Sequence, residues 1–574
     1  MLNPYGIGEL VKIFSTTGIP PEAQFTRNVS EFGKIDELPP TENIASTPLA
    51  AVPATPAAIL NQKQTRLRTD LIWTATVQFA IMLSSFFVYG LIARYFTAKG
   101  VGEYALIRRA LYFLQPITLL GITVAVPRFL PFYEDNKGAR AQITATGFFS
   151  VMFLSLAVSI GCVIERSWIA TVLFGDRHAQ LLAAAFAAMT IAFGLHSFSY
   201  CYFRGMRRMS SANTLDLVNS AIAPLVAVTC ALRFNVAMAV LFLSALILAW
   251  TACQSWDLWR EIRAASKQDY SPRLTKSLLL YGLPRVPGDV ALAGLLSVPL
   301  ILVTHAADVA EAGRFAVAQN LLTIVAVGLS PLSIVLLPYV SERLAREDFS
   351  TVKRNSVQLF QAILDISLYF ALHVAILSDI VLRLWVGPKM VGATALVRVL
   401  MIVAPFYATY FVFRSVIDAT TVKPVTSLNL VTAFAIFSVG YYFLVRHHLP
   451  ASLAAAFAVA LAVIVLGSLS LAAMMSFYGA RGFLDSATVK IALMNFVLAG
   501  SVFAARYVLG VGDAGCLALE ALALLVFALS LLVVRRRWAL SLLVHFGFED
   551  GIRNTDAARG VLANWFRRLK SSAE

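Results

Sequence analysis

The chain has 574 residues, 59% of them apolar and only 14% charged, with a mean hydropathy of +0.74; ordinary soluble domains are roughly 45–50% apolar and about 25% charged. A soluble globule is excluded. Lys and Arg outnumber Asp and Glu by 47 to 32, an excess that a membrane protein collects in its cytoplasmic loops, so no nucleic-acid partner is expected. Cys162, Cys201, Cys230, Cys253 and Cys516 stand singly, without a CxxC pair, so neither a disulfide framework nor a metal site is expected, and no cofactor is implied.

Residues 1–66, with DELPPTEN and LAAVPATPAAIL, are rich in Pro, Ala and Thr and read as a disordered cytoplasmic tail. Apolar runs of about 20 residues, each able to cross the hydrocarbon layer as a helix, then recur from Leu71 to Val534. They divide into fourteen predicted spans, centred near residues 82, 117, 152, 191, 223, 245, 292, 325, 367, 402, 435, 463, 500 and 524. The fold class is all-α and polytopic. With the N-terminus on side one, 33 of the 47 Lys and Arg fall on that side, which predicts cytoplasmic termini. Arg94, Lys99, Arg108 and Arg109 oppose that bias on the first external connection. Residues 536–574, with Trp565 and Phe566 beside Arg567, Arg568 and Lys570, read as a basic amphipathic segment on the anionic cytoplasmic leaflet.

Laid against itself, the chain repeats. Val101-Gly102-Glu103-Tyr104-Ala105-Leu106 matches Ala312-Gly313-Arg314-Phe315-Ala316-Val317 at an offset of 211, and Pro127 falls on Pro338 at the same offset. Phe174-Gly175 meets Val386-Gly387, and Phe203-Arg204 meets Phe413-Arg414, within one residue of that spacing. The offset spans six helices, an even number, so the copies enter the membrane in the same direction and are related by an axis along its normal. This predicts two six-helix lobes, 67–265 and 266–480, with helices 13 and 14 over 481–535 outside the repeat. Such lobes enclose a cavity and work by alternating access.

The segments IARYFTAKGVGEYALI, LGITVAVPRFLPFYED, FRGMRRMSSAN, YGLPR, EAGRFAVAQNLL, SPLSIVLLPYVSERLARED and IVLRLWVGP resemble those of the Wzx-type oligosaccharide flippases, in the multidrug/oligosaccharidyl-lipid/polysaccharide (MOP) exporter superfamily. The likeness spans about residues 70–535. It implies a multi-pass transporter of the bacterial inner membrane that flips an undecaprenyl-pyrophosphate-linked oligosaccharide for surface polysaccharide assembly. The partners implied are that lipid-linked oligosaccharide, membrane lipids and polysaccharide-assembly enzymes. Fourteen spans rather than twelve lean toward the lipid II flippase branch. A drug or metabolite antiporter of the same superfamily is the alternative, and a membrane polymerase or glycosyltransferase the alternative of another class; the longest inter-span connection, about 254–277, is on the cytoplasmic side and does not suit those enzymes.

A flippase breaks no covalent bond, so the residues sought bind a pyrophosphate or a coupling ion. Arg108 and Arg109 lie inside predicted span 2, where a charge must face protein or water, and a guanidinium suits phosphate; snorkelling to the interface is the bland reading. Adjacent residues diverge by about 100° on a helix, so one of the two faces a cavity. Their repeat mates, Gln319 and Asn320, could bond sugar hydroxyls or neighbouring helices. Span 7 opens YGLPRVPGD, whose prolines should bend or break the helix, with Arg285 and Asp289 one turn apart as a gate or site, or as an interfacial pair. Arg204 and Arg414 mark the cytoplasmic ends of spans 4 and 10, as positive-inside anchors or a mouth that captures the headgroup. In span 9, Asp365, Tyr369 and His373 follow Gln361 at intervals of four, one polar stripe that could bind a proton or sodium ion, unless Asp365 lies at the interface.

Overall fold

The computed structural model describes residues 56–133, 135–265, 271–283, 286–345, 348–421 and 423–535. Every regular element among them is helical, as lipid requires, since an α-helix satisfies its own backbone hydrogen bonds. In chain order the helices are α1 (Pro56–Leu119), α2 (Ile122–Phe129), α3 (Lys137–Ile164), α4 (Arg166–Phe174), α5 (Gln180–Gly205), α6 (Met209–Cys230) and α7 (Val236–Gln254). Next come α8 (Trp256–Ala264), α9 (Pro272–Gly282), α10 (Val286–Ala306), α11 (Val309–Ala345), α12 (Phe349–Ile376) and α13 (Ser378–Trp385). The last six are α14 (Thr394–Ile402), α15 (Ala404–Thr420), α16 (Val425–Arg446), α17 (Ala451–Tyr478), α18 (Ser486–Val508) and α19 (Asp513–Val534). Local signals place several starts: Asn136, Asn235 and Asp485 each cap the helix that follows by accepting from a backbone N–H three residues on, satisfying a donor that no helical carbonyl reaches.

Eleven of these helices are long and apolar enough to cross a membrane, or twelve if the bent pair Pro388–Ile402 and Ala404–Thr420 forms one span. The expected count of fourteen is not reached that way. One reason is that Ile72–Leu119 counts once at 48 residues, although Thr97, at φ 64° and ψ −172°, breaks α1 between the spans predicted near 82 and 117. That region of backbone space is hostile to a β-branched residue, so the chain turns there rather than continuing one helix. The span predicted near 325 falls in α11, which runs for 37 residues.

The tail predicted over 1–66 also needs correction at its end, because α1 begins at Pro56. Proline at a first helical position leaves no donor unsatisfied, and the AAILNQKQTRLR that follows is made mostly of helix formers. Residues 1–55 and the basic segment 536–574 lie outside the described residues.

The chain divides into two compact units, one holding the described residues up to Lys353 with Leu377–Ala480, the other Arg354–Ile376 with the described residues from Arg481. Span 9, within α12, falls in the same unit as α18 and α19 and not with the rest of 266–480. In the first unit the most extensive contact is α1 on α11. Small residues permit the close approaches: a Cβ on Gly288 or Gly294 of α10 would overlap Ser427 or Phe434 of α16, the way apolar helices gain contact area where lipid offers no hydrophobic drive.

Candidate functional site

Three helices of the first unit bring charge together in its interior. Asp289 stands in the first turn of α10, where the helix dipole favours a carboxylate. Arg414, on α15, donates to it through Nη2 at 3.3 Å. Arg109, on the second limb of α1, is held by its backbone, whose carbonyl accepts from Ser297 Oγ of α10 at 2.7 Å. Arg109 and Arg414 both lie within electrostatic reach of the Tyr112 and Tyr407 hydroxyls. Tyr410, one turn from Arg414, is fully buried, and its hydroxyl has no hydrogen-bond partner among the described residues. The Arg414 and Asp289 side chains nonetheless remain 36% and 39% accessible. Charges within apolar helices keep such surface where they face an internal polar space. Asp418, one turn beyond Arg414, also acts on Arg414 and Tyr410. Two guanidiniums, two carboxylates and three phenols thus make a charge-balanced, hydroxyl-rich site, its guanidiniums suited to phosphate oxygens and its phenols to sugar hydroxyls.

The other predicted substrate residues divide. Arg108 reaches Tyr89, as Arg109 also does, but of the adjacent pair Arg109 alone is among the charges that reach Tyr112 and Tyr407. Gln319 is fully buried and its amide donates to the Leu296 carbonyl at 3.0 Å, a bond between α11 and α10. Asn320 accepts from Thr323 at 3.3 Å, while its amide nitrogen is buried without a partner among the described residues. The break predicted from YGLPRVPGD is present, since α9 ends at Gly282 and α10 begins at Val286. Pro284 and Arg285 lie outside the described residues. Arg204 is exposed at the end of α5, its guanidinium over the Tyr200 ring at 5.7 Å, so the repeat mates Arg204 and Arg414 have different surroundings.

In the second unit, the polar stripe of α12 meets partners that lie far along the chain. Asp365, 1% exposed, pairs with Arg535 at 3.0 Å, and the same guanidinium donates to Gln361 at 2.8 Å, Asp485 at 3.2 Å and Thr488 at 2.5 Å. One turn on, Tyr369 donates to Glu520 at 2.8 Å and His373 Nδ1 meets the other oxygen of that carboxylate at 2.6 Å. The stripe therefore serves two networks. Arg535 and Glu520 are absent from the residues predicted for this site. Glu520 carried a readable signal, a carboxylate inside the apolar run CLALEALALLVF, whereas Arg535 reads as the first residue of the basic tail.

A further buried network left no linear mark. Asp216 of α6 accepts from Gln78 at 3.1 Å and from Ser220 at 2.7 Å, and lies 3.8 Å from His196. Asn219 meets His196 at 3.0 Å and donates to Thr251 at 2.8 Å. Asn219 lies in a π-helical turn, Leu217–Ile222, whose wider winding changes which side chains face inward.

With this geometry in view, the solved structures to which the chain is similar show its fold. The lipid II flippase MurJ in an inward closed conformation matches with a TM-score of 0.65 at 13% identity, covering 82% of this chain and 100% of that one. An inward-facing multidrug resistance MATE-family transporter of the MOP superfamily matches with a TM-score of 0.60 at 11% identity, covering 70% of this chain and 98% of that one. A MOP-superfamily transporter from Pyrococcus furiosus, described as having a binding pocket of reversed polarity, matches with a TM-score of 0.50 at 11% identity over 70% of this chain and 96% of its own. The fold is that of the MOP-superfamily membrane transporters. Residues 67–343 match the family model described as polysaccharide biosynthesis protein. No curated protein sequence matches the chain.

Proposed function

We propose that the protein flips an undecaprenyl-pyrophosphate-linked oligosaccharide from the inner to the outer leaflet of a bacterial inner membrane, by alternating access, for surface polysaccharide assembly. The observation that carries this reading is the interior group of Arg109, Arg414, Asp289 and three tyrosines. The guanidiniums would take the pyrophosphate, Asp289 would hold Arg414 in place while the site is empty of phosphate, and the phenols would bond sugar hydroxyls. The polysaccharide-biosynthesis match over 67–343, which includes Arg109, supports the same substrate class. Both termini are assigned to the cytoplasm on the Lys and Arg distribution, and Asp365, Tyr369 and His373 to ion coupling.

A drug antiporter with the same fold would favour an acidic or aromatic cavity without guanidiniums. The two arginines argue against a cationic drug. The deciding experiment reconstitutes the purified protein in liposomes with a short-chain lipid-linked oligosaccharide and follows its appearance in the opposite leaflet by lectin accessibility. Flipping that Arg414→Gln reduces at least tenfold is expected; uptake of a cationic dye without flipping would overturn the reading.

A further inference from the structure

We propose that Glu520, His373 and Tyr369 form a binding site for one proton, and that this site gives the flippase proposed above its response to a proton gradient. The coupling role rests on that transport reading; the proton binding does not. Glu520 is the one carboxylate of α19 after Asp513, seven residues into the helix and so about 10 Å along it. A carboxylate only accepts. Tyr369 therefore donates its O–H to one oxygen at 2.8 Å, and His373 must donate an Nδ1–H to the other at 2.6 Å. That bond assigns the proton of a neutral imidazole to Nδ1 and leaves Nε2 as its bare basic atom.

The surroundings of Nε2 make the group a switch. His373 is buried, and Nε2 has no partner among the described residues. The Tyr369 ring stacks on the imidazole at 4.0 Å and on Phe527 at 4.3 Å, while Ile491, Met494 and Leu498 of α18 close the cluster with Ile366 and Leu531. The remaining ionisable groups described in this unit are engaged or distant. Tyr507 donates at 3.0 Å to the carbonyl of Ile376, one turn along α12 from His373, and Cys516 donates to the Val511 carbonyl at 3.3 Å. Asp365 and Asp485 hold Arg535, Arg506 pairs with Asp513 at 2.5 Å at the α18–α19 connection, Lys490 is exposed, and Arg354 and Arg481 lie at the far ends of their segments. Asp365 is two turns along α12 from His373, about 12 Å at 1.5 Å per residue.

With a neutral imidazole and an ionised Glu520 the cluster carries one negative charge; one added proton makes it neutral as a whole, an imidazolium beside a carboxylate. In this conformation the new Nε2–H would be a buried donor with no acceptor among the described residues. An unmet buried donor is worth roughly a factor of ten in an equilibrium. Protonation thus favours whichever conformation offers Nε2 water or an acceptor, the differential affinity that lets a bound proton shift two states. Sodium is a poor fit, because both carboxylate oxygens already accept and the other two groups offer donors rather than an oxygen cage. The Glu520 side chain is 21% exposed, and His373 is three residues from the end of α12, the external end in the proposed orientation.

The test uses the full chain in phosphatidylglycerol and phosphatidylethanolamine liposomes. Infrared difference spectra between pH 8 and pH 5 report carboxyl and imidazole protonation, and flipping is measured with and without an imposed pH gradient. Wild-type protein should show an imidazole change that is lost in both Glu520→Gln and His373→Gln, with Tyr369→Phe as a milder variant should either fail to fold, and the several-fold response of flipping to the gradient should disappear in the same variants. Spectra unchanged by all three substitutions overturn the site. Spectral loss with a wild-type gradient response overturns the coupling role, and signals that follow sodium at fixed pH overturn the proton assignment. A wild-type protein whose imidazole change is lost in Glu520→Gln and His373→Gln but that flips no lipid-linked oligosaccharide supports the proton site and overturns the transport reading.

Discussion

Gly102 of α1 and Gly313 of α11 touch where the two helices cross, and each occupies the other's equivalent position in the 211-residue repeat. The contact is reciprocal. A Cβ on Gly102 would overlap the Val309 carbonyl, a Cβ on Gly313 would overlap the Ala98 carbonyl, and Ala98 and Val309 are themselves one repeat apart. Equal and exchanged contacts are what a two-fold relation between halves requires. The obstruction is backbone, which cannot rotate aside. Gly313→Ala and Gly102→Ala should therefore sharply reduce the monodisperse protein recovered from membranes, by fluorescence-detected size exclusion. Gly161→Ala, whose Cβ would meet nothing, should match or slightly exceed wild type. Normal recovery of both α1–α11 variants would show that this crossing is loose.

The central site predicts an asymmetry between two adjacent arginines. Hydrogen bonds to charged groups contribute about 1.5–3 kcal/mol, so Arg109→Gln should slow flipping in the liposome assay tenfold or more. Arg108→Gln, on the neighbouring face, should cost less than about threefold. Equal losses would mean that both enter the site.

Asp365 and Arg535 are 1% and 9% exposed, and removing one partner of such a pair strands the other charge at a cost of about 3–5 kcal/mol. Asp485 still faces Arg535 at 3.2 Å, so Asp365→Asn should fall at the low end, about 3 kcal/mol, and the apolar double substitution Asp365→Leu/Arg535→Leu should recover much of that. Denaturation of the detergent-solubilised protein reads both; an unshifted Asp365→Asn midpoint would argue that the pair is solvated.

Asp485 caps α18 ahead of the span. Its burial raises the pKa, but the Thr488 hydroxyl and N–H and the Arg535 guanidinium outweigh that, holding the carboxyl below its ordinary value. A folded pKa below the unfolded one gives stability that is fully present above the unfolded value and is lost as pH falls through the folded one. Asp485→Ala should cost about 1 kcal/mol at pH 7, the scale of a lost cap, and the two melting curves should converge below pH 4. A difference that persists at acid pH would assign the effect to packing.

Composition and apolar run length decided the class of this protein, because a chain with so few charges and so many 20-residue apolar segments has no other solvent than lipid. The repeat was legible for a related reason: Gly102 and Gly313 recur where two helices must approach more closely than a side chain allows. The break before α10 could be read from prolines that remove helical hydrogen bonds. The partners could not. Arg414 sits beside Asp289, and Arg535 and Glu520 beside the stripe of α12, across 125, 170 and about 150 residues of chain. Periodicity states which face of a helix is polar, but not which other helix supplies the opposite charge, since that depends on how the helices cross. Tertiary packing alone divided the stripe between Arg535 and Glu520. It also assembled His196, Asp216 and Asn219, each unremarkable in its own segment, into one buried network.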